Sequence, residues 1–199
     1  DETRRILFRN TAQKMGLHEA IVEKDFWVCF MLDYLFSKSE WKDSFTFKGG
    51  TSLSKCYHLI ERFSEDIDLI LDWRVIGYKT NEPWVDRSNT QQEKFNKDAN
   101  LKAASFLKEE LLPKLISDVS VLLDREAVFY IDERDPQTIC FEYPRIFSDV
   151  SILQMIRLEI GALAAWSPAT KKVVIAFVAN YYPHLFEDPK INILTVSVE

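Results

Sequence analysis

Three acidic side chains stand out for their chemistry: Asp66, Asp68 and Glu159. The run Asp66-Ile-Asp-Leu-Ile-Leu71 alternates polar and apolar residues, and successive side chains of a strand point to opposite faces. Asp66 and Asp68 are therefore expected to project together, while Ile67, Leu69 and Leu71 enter a core. Ile156-Arg-Leu-Glu-Ile160 repeats the pattern, with Arg157 and Glu159 on the polar face. Carboxylates set side by side repel one another unless a cation bridges them, and an all-oxygen ligand set suits Mg²⁺ or Mn²⁺. Three such groups can hold two divalent ions roughly 3.5–4 Å apart, one activating an attacking hydroxyl and one clamping a triphosphate as pyrophosphate leaves.

A second constellation precedes the first. Gly49-Gly50-Thr51-Ser52 follows the alternating run Phe45-Thr-Phe-Lys48, and 15 residues separate Gly50 from Asp66. Paired glycines admit positive φ and let a ligand approach the backbone closely. Backbone N–H groups at a helix start, with the Thr51 and Ser52 hydroxyls, offer hydrogen bonds to phosphate oxygens without added charge. Lys48 and Lys55 flank this turn, and Lys55 is taken with it as a candidate phosphate contact. Either motif alone is common in plain turns and strand ends. Their order, strand, glycine turn, helix and Asp-x-Asp strand, makes accident a poor explanation.

Other chemistry-bearing residues carry less. His18, His58 and His184 share no ligand spacing, and Cys29, Cys56 and Cys140 form no CxxC pair, so neither zinc nor a disulfide framework is indicated. Arg62 is read either as a phosphate contact or as a partner of Glu61 or Glu65, and Ser64 as a backbone contact ahead of Asp66. Arg157 is read as a salt-bridge partner that orients Glu159. Trp73 and Trp84 bracket a polar segment, where they either stack on a base or pack on the protein.

These residues require a particular set of elements to position them. Apolar spacing predicts a helix over 20–36 with one wide buried face, a strand over 45–48, a helix capped by Thr51 or Ser52 that ends before Ser64, and a strand over 66–71. Segment 72–92 reads as a long loop, and 93–116 as a helix with Pro113 near its end. Runs of strand type follow at 119–123, 127–131, 138–143, 152–160 and 191–198, with 173–182 either helix or strand. The expected fold is α/β (α+β): a small mixed sheet carrying the catalytic strands, helices on one face, and an N-terminal helical element over 1–44 ahead of a core over 45–199.

Composition sets the outer limits. With 199 residues and 47% hydrophobic content the chain can bury one ordinary core. A formal charge of −6 argues against indiscriminate coating of nucleic acid, though not against a local basic groove. The apolar stretch 21–36 carries Glu23, Lys24, Asp25 and Asp33, which excludes it as a membrane span, and no signal peptide is visible. With dispersed cysteines this points to the cytoplasm. The chain begins with Asp1 and closes on a strand-like run, the pattern of a trimmed sequence.

Phe47-Lys-Gly-Gly-Thr-Ser-Leu-Ser-Lys55 and Glu61-Arg-Phe-Ser-Glu-Asp-Ile-Asp-Leu69 resemble the first motif of the AbiEii/AbiGii-type toxin family, within the DNA polymerase β-like nucleotidyltransferases. Glu23-Lys-Asp-Phe-Trp27 and Arg157-Leu-Glu-Ile-Gly-Ala162 agree, so the similarity runs from about residue 17 to residue 165. The resemblance implies that Gly50 and Thr51 fill the glycine and small-hydroxyl positions, Asp66 and Asp68 the metal-ligand positions, and Glu159 that of the third carboxylate. It implies transfer of a nucleoside monophosphate from an NTP to a hydroxyl, with transfer RNA as one acceptor, in a toxin–antitoxin or abortive-infection system with a cognate antitoxin protein. Family members continue into a helical C-terminal part with further Lys, Arg and Asp residues, which this chain does not reach. The rival readings are a two-metal nuclease, which needs no phosphate-cradling turn, a glycosyltransferase, and a catalytically idle module binding nucleotide, RNA or protein.

Overall fold

The computed structural model describes residues 2–60, 66–162 and 168–198; Arg62 and Ser64 lie outside them. Its framework is one mixed sheet of seven strands: β1 (Phe45–Lys48), β2 (Ile67–Leu71), β3 (Val128–Ile131), β4 (Thr138–Glu142), β5 (Ile156–Gly161), β6 (Ala169–Val174) and β7 (Ile191–Val196), in the order β3-β4-β5-β2-β1-β7-β6. The pairs β2/β5 and β1/β7 are parallel and the others antiparallel. The α/β class and mixed sheet expected from the sequence are what the chain adopts.

Alternation explains how the sheet divides its surfaces. Phe45, Phe47, Ile67, Leu69, Leu71, Ile156, Leu158 and Ile160 are all buried on one face, whereas Lys48, Asp68, Arg157 and Glu159 on the other remain half-buried. Helices α1 (Glu2–Met15) and α2 (Glu19–Asp33) cover the apolar face. Trp27 of α2 meets Phe141 edge-on and stacks on Tyr143, each at 6.0 Å, and Phe141 stacks on Phe129 of the neighbouring strand at 4.5 Å. Such ring contacts each contribute about 0.5–1.5 kcal/mol beyond burial.

Helix α2 is enclosed on nearly every side, not along one stripe as its spacing predicted. Glu23, Lys24 and Asp25, consecutive and therefore spread around the helix, are all buried. Each has work there. Glu23 accepts from the amides of Ile146 (2.6 Å) and Phe147 (2.9 Å), Lys24 donates to the Leu153 carbonyl, and Asp25 accepts from Lys55 and from the Phe177 amide (2.7 Å).

Helices α3 (Gly49–Lys55), α4 (Asn89–Phe106), α5 (Leu112–Leu123) and α6 (Phe177–Tyr181) complete the fold. Between α4 and α5 the backbone makes a widened π-type turn over Leu107–Leu111, so the helix runs on to Leu123. Pro113 lacks an N–H and its ring would collide with the carbonyl four residues earlier, and the wide turn just ahead accommodates it. The strand expected over 119–123 is thus the end of α5; β-branched residues are tolerated in a helix when one face packs, as Leu115 and Val119 do. The helix expected from Glu93 starts at Asn89, because Ser88 and Gln91 form a reciprocal capping box. Segment 173–182 is neither one helix nor one strand: it divides between β6 and α6. Residues 152–155, read as strand, form bends ahead of β5. Among the described residues no helix is long and apolar enough to cross a membrane.

Candidate active site

Strand register creates a row of polar residues across the middle of the sheet. Lys48 pairs with Asp68, Asp68 with Glu159, and Glu159 with Thr138, so four adjacent strands contribute one position each. Neighbouring strands lie about 4.8 Å apart, which brings the Asp68 and Glu159 carboxylates within reach of each other. Asp66, two residues before Asp68, belongs to the same face by alternation. Glu142, the remaining acid on this face of β4, is four residues beyond Thr138, about 13 Å along the strand. Asp149 is engaged by Ser151 and by His18 at 3.4 Å.

The electrostatics of the row are unfavourable by design of the register. Burial pushes the Asp68 carboxyl above the usual carboxylate range, and the nearby Glu159 and Asp66 charges push it further, partly offset by Lys48. A carboxylate crowded by its like-charged neighbours, as Asp68 is, is what an oxygen-seeking divalent cation relieves, and the all-oxygen donor set suits Mg²⁺ or Mn²⁺. Among the described residues no three His, Cys, Asp or Glu side chains surround a common point.

The glycine turn meets this row from one end. Gly49 has φ +77°, and a Cβ built there would lie 2.0 Å from Asp68 Oδ2 and 2.7 Å from its Cγ. Only glycine lets the Asp68 carboxylate lie against the start of α3. The positive φ expected of the turn thus falls on Gly49 and not on Gly50, which lies within the first turn of α3.

The neighbouring hydroxyls have other duties. The helix starts at Gly49 with Lys48 as its N-cap, so neither Thr51 nor Ser52 caps it. Both are buried: Thr51 donates to the Asp66 carbonyl, holding the Asp66–Asp68 segment against α3, and Ser52 bonds Thr195 at 2.6 Å. Lys55 points inward and pairs with Asp25, its Nζ 4.9 Å from the Phe177 ring. Burial alone would lower its pKa, but the Asp25 charge raises it, so the ammonium is kept. These three residues build the turn's foundation and do not line the carboxylate row.

Arg157, two residues from Glu159 on the same face, places Nε 3.4 Å from Glu159 Oε1 and Nη1 2.7 Å from Asp132 Oδ2. Asp132 was not legible as a site residue: it lies outside any strand, after β3, and only the pairing of β3, β4 and β5 brings it here. The same flank opens into a shallow surface depression lined by Tyr130, Ile131, Asp132, Glu133, Arg134, Asp135 and Arg157. Trp73 and Trp84, considered as base-stacking rings, pack edge-on against each other at 5.8 Å.

Residues 31–199 match the family profile described as nucleotidyl transferase AbiEii toxin, type IV TA system. No curated protein and no solved structure shows significant similarity to the chain.

Proposed function

The chain belongs to the AbiEii family of nucleotidyl transferase toxins of type IV toxin–antitoxin systems, and from that premise we propose that Asp66, Asp68 and Glu159 hold divalent metal for transfer of a nucleoside monophosphate from an NTP to a hydroxyl acceptor. The observation carrying this reading is the direct register of Asp68 with Glu159 on parallel strands, with Asp66 on the same face. A bound Mg²⁺ or Mn²⁺ would supply charge neutralisation for the triphosphate and acidify the attacking hydroxyl.

The chain's own groups do the rest. Backbone amides at Gly49 and Gly50 donate to phosphate oxygens, an approach that a side chain at Gly49 would obstruct. Lys48, directly across from Asp68, offers positive charge on the same row. Thr51 fixes the Asp66 backbone, so the Asp66–Asp68 segment is tied to the turn that receives the nucleotide. An RNA acceptor, transfer RNA by family resemblance, and a cognate antitoxin complete the proposal. Buried thiols at Cys29, Cys56 and Cys140 are consistent with a cytoplasmic setting.

The test is to incubate the protein with each labelled NTP, Mg²⁺ and total RNA, and to ask what becomes labelled. Wild type should label an acceptor, while Asp66→Ala/Asp68→Ala and Glu159→Gln should not. RNA cleavage without NTP dependence would replace this reading with the two-metal nuclease. If Glu159→Gln labels at the wild-type rate, the third carboxylate has been misassigned.

A further inference from the structure

We propose that Asp132 is a positioning residue that keeps Arg157 from neutralising Glu159, so that Glu159 stays available to a divalent cation. The inference rests on the reading of Glu159 as a metal ligand and adds to it a residue from a separate part of the chain.

The argument starts from unequal distances. One guanidinium faces two carboxylates, and it is 2.7 Å from Asp132 but 3.4 Å from Glu159. Arginine forms its strongest pairs as two parallel hydrogen bonds to one carboxylate, and Arg157 is close enough to Glu159 to do this if nothing held it back. Asp132 does hold it back. Its Oδ1 accepts from the amides of Arg134 (2.8 Å) and Asp135 (3.2 Å), which anchors the carboxyl in a turn, while Oδ2 takes Arg157 Nη1 and a weak contact from Cys140 Sγ at 3.9 Å.

Exposure is graded in the same order. The Asp132 side chain is 18% exposed, Arg157 26% and Glu159 39%, so the anchored end of the chain is covered and the ligand end is open. Those backbone bonds, led by the Arg134 amide, together with Arg157 hold the Asp132 carboxyl below the usual range, keeping it ionised. Glu159 thus receives one long hydrogen bond that orients it, not a pair that would consume its charge.

Removing the negative charge of Asp132 while keeping its turn should release Arg157 onto Glu159. Asp132→Asn does this, because the amide oxygen can still accept from Arg134 and Asp135 while the NH₂ group faces the guanidinium. Calorimetric titration with Mn²⁺ alone, on the full chain, should show affinity for Asp132→Asn lowered roughly 10–100-fold, the range seen for residues that orient metal ligands. The distinguishing arm is the double variant Asp132→Asn/Arg157→Met. With no guanidinium to compete, its affinity should return to within about threefold of wild type, a recovery that a merely structural role of Asp132 would not produce. If Glu159→Gln weakens Mn²⁺ binding but Asp132→Asn does not, the inference is overturned and the ligand reading stands. A double variant no better than Asp132→Asn also overturns it. If Glu159→Gln leaves Mn²⁺ binding unchanged, the ligand reading falls and takes the inference with it.

Discussion

Two groups of charged residues, treated oppositely by the fold, divide this molecule's labour. Glu23, Lys24 and Asp25 on α2 are fully buried, and each is matched by an opposite charge, a carbonyl or backbone amides. Asp68 and Glu159 are only half-buried and are placed beside each other, like charge against like. The first group is internally satisfied and fastens elements distant in sequence: α2 to α3 through Lys55, to α6 through Phe177, and to 146–153. The second is only partly compensated, by Lys48 beside Asp68 and by one long hydrogen bond from Arg157 to Glu159. Charge compensation, more than burial, separates the two groups.

The largest effect expected is at the Asp25–Lys55 pair. Lys55→Met strands the Asp25 carboxylate in the interior, and losing one partner of a buried pair costs about 3–5 kcal/mol. Urea denaturation should show a loss of this size. A cost below about 1 kcal/mol would erase the contrast between the two regions.

Gly49→Ala comes next, because it joins the regions. The added Cβ meets Asp68 Oδ2 and sits at a left-handed φ, so about 1–3 kcal/mol of strain is expected along with displacement of Asp68. Mn²⁺ titration should weaken together with thermal stability. Gly50→Val, at a position without positive φ, should lack that backbone strain, and equal losses of stability in both variants would refute the assignment of the strain to Gly49.

The smallest effect has the opposite sign. The Asp68 carboxyl is raised above its ordinary pKa, so its ionised form opposes folding and that penalty is present above the raised pKa. As pH falls from there towards the usual carboxylate range, the folded chain takes up the proton first and the penalty fades. Asp68→Asn should therefore raise the thermal midpoint at neutral pH without added metal, by less than the loss expected at Gly49 because solvent screens this half-exposed group. The gain over wild type should shrink as the pH is lowered, and a melting series in pH is the check. No gain at neutral pH would mean that Lys48 already compensates the row.

The strands of the site were legible because alternation is a local property. The Phe45–Lys48 strand matches its expected bounds, and the faces of Ile67–Leu71 and Ile156–Gly161 follow directly from which residues are apolar. The end of α5 at residues 119–123 reads as a strand for the same reason: a short run of Val and Leu satisfies both periods, and only its continuity with residues 112–118 distinguishes them. A sequence does not display the Asp66 carbonyl or the Thr195 hydroxyl that bond Thr51 and Ser52, so a phosphate contact is the reading their types and spacing offer.

From its sequence alone this protein determined the alternating strands, the glycine that a tight approach requires, the acidic residues that share a face, and a family resemblance in its motifs. Tertiary structure decided which strands became neighbours, and hence that Asp68 stands opposite Glu159, that Lys55 answers Asp25 across 30 residues, and that Asp132 holds Arg157. The physical reason is range: periodicity and backbone conformation are set within a few residues, whereas charge pairing depends on distances of a few ångströms that only the closed sheet and its packed helices define.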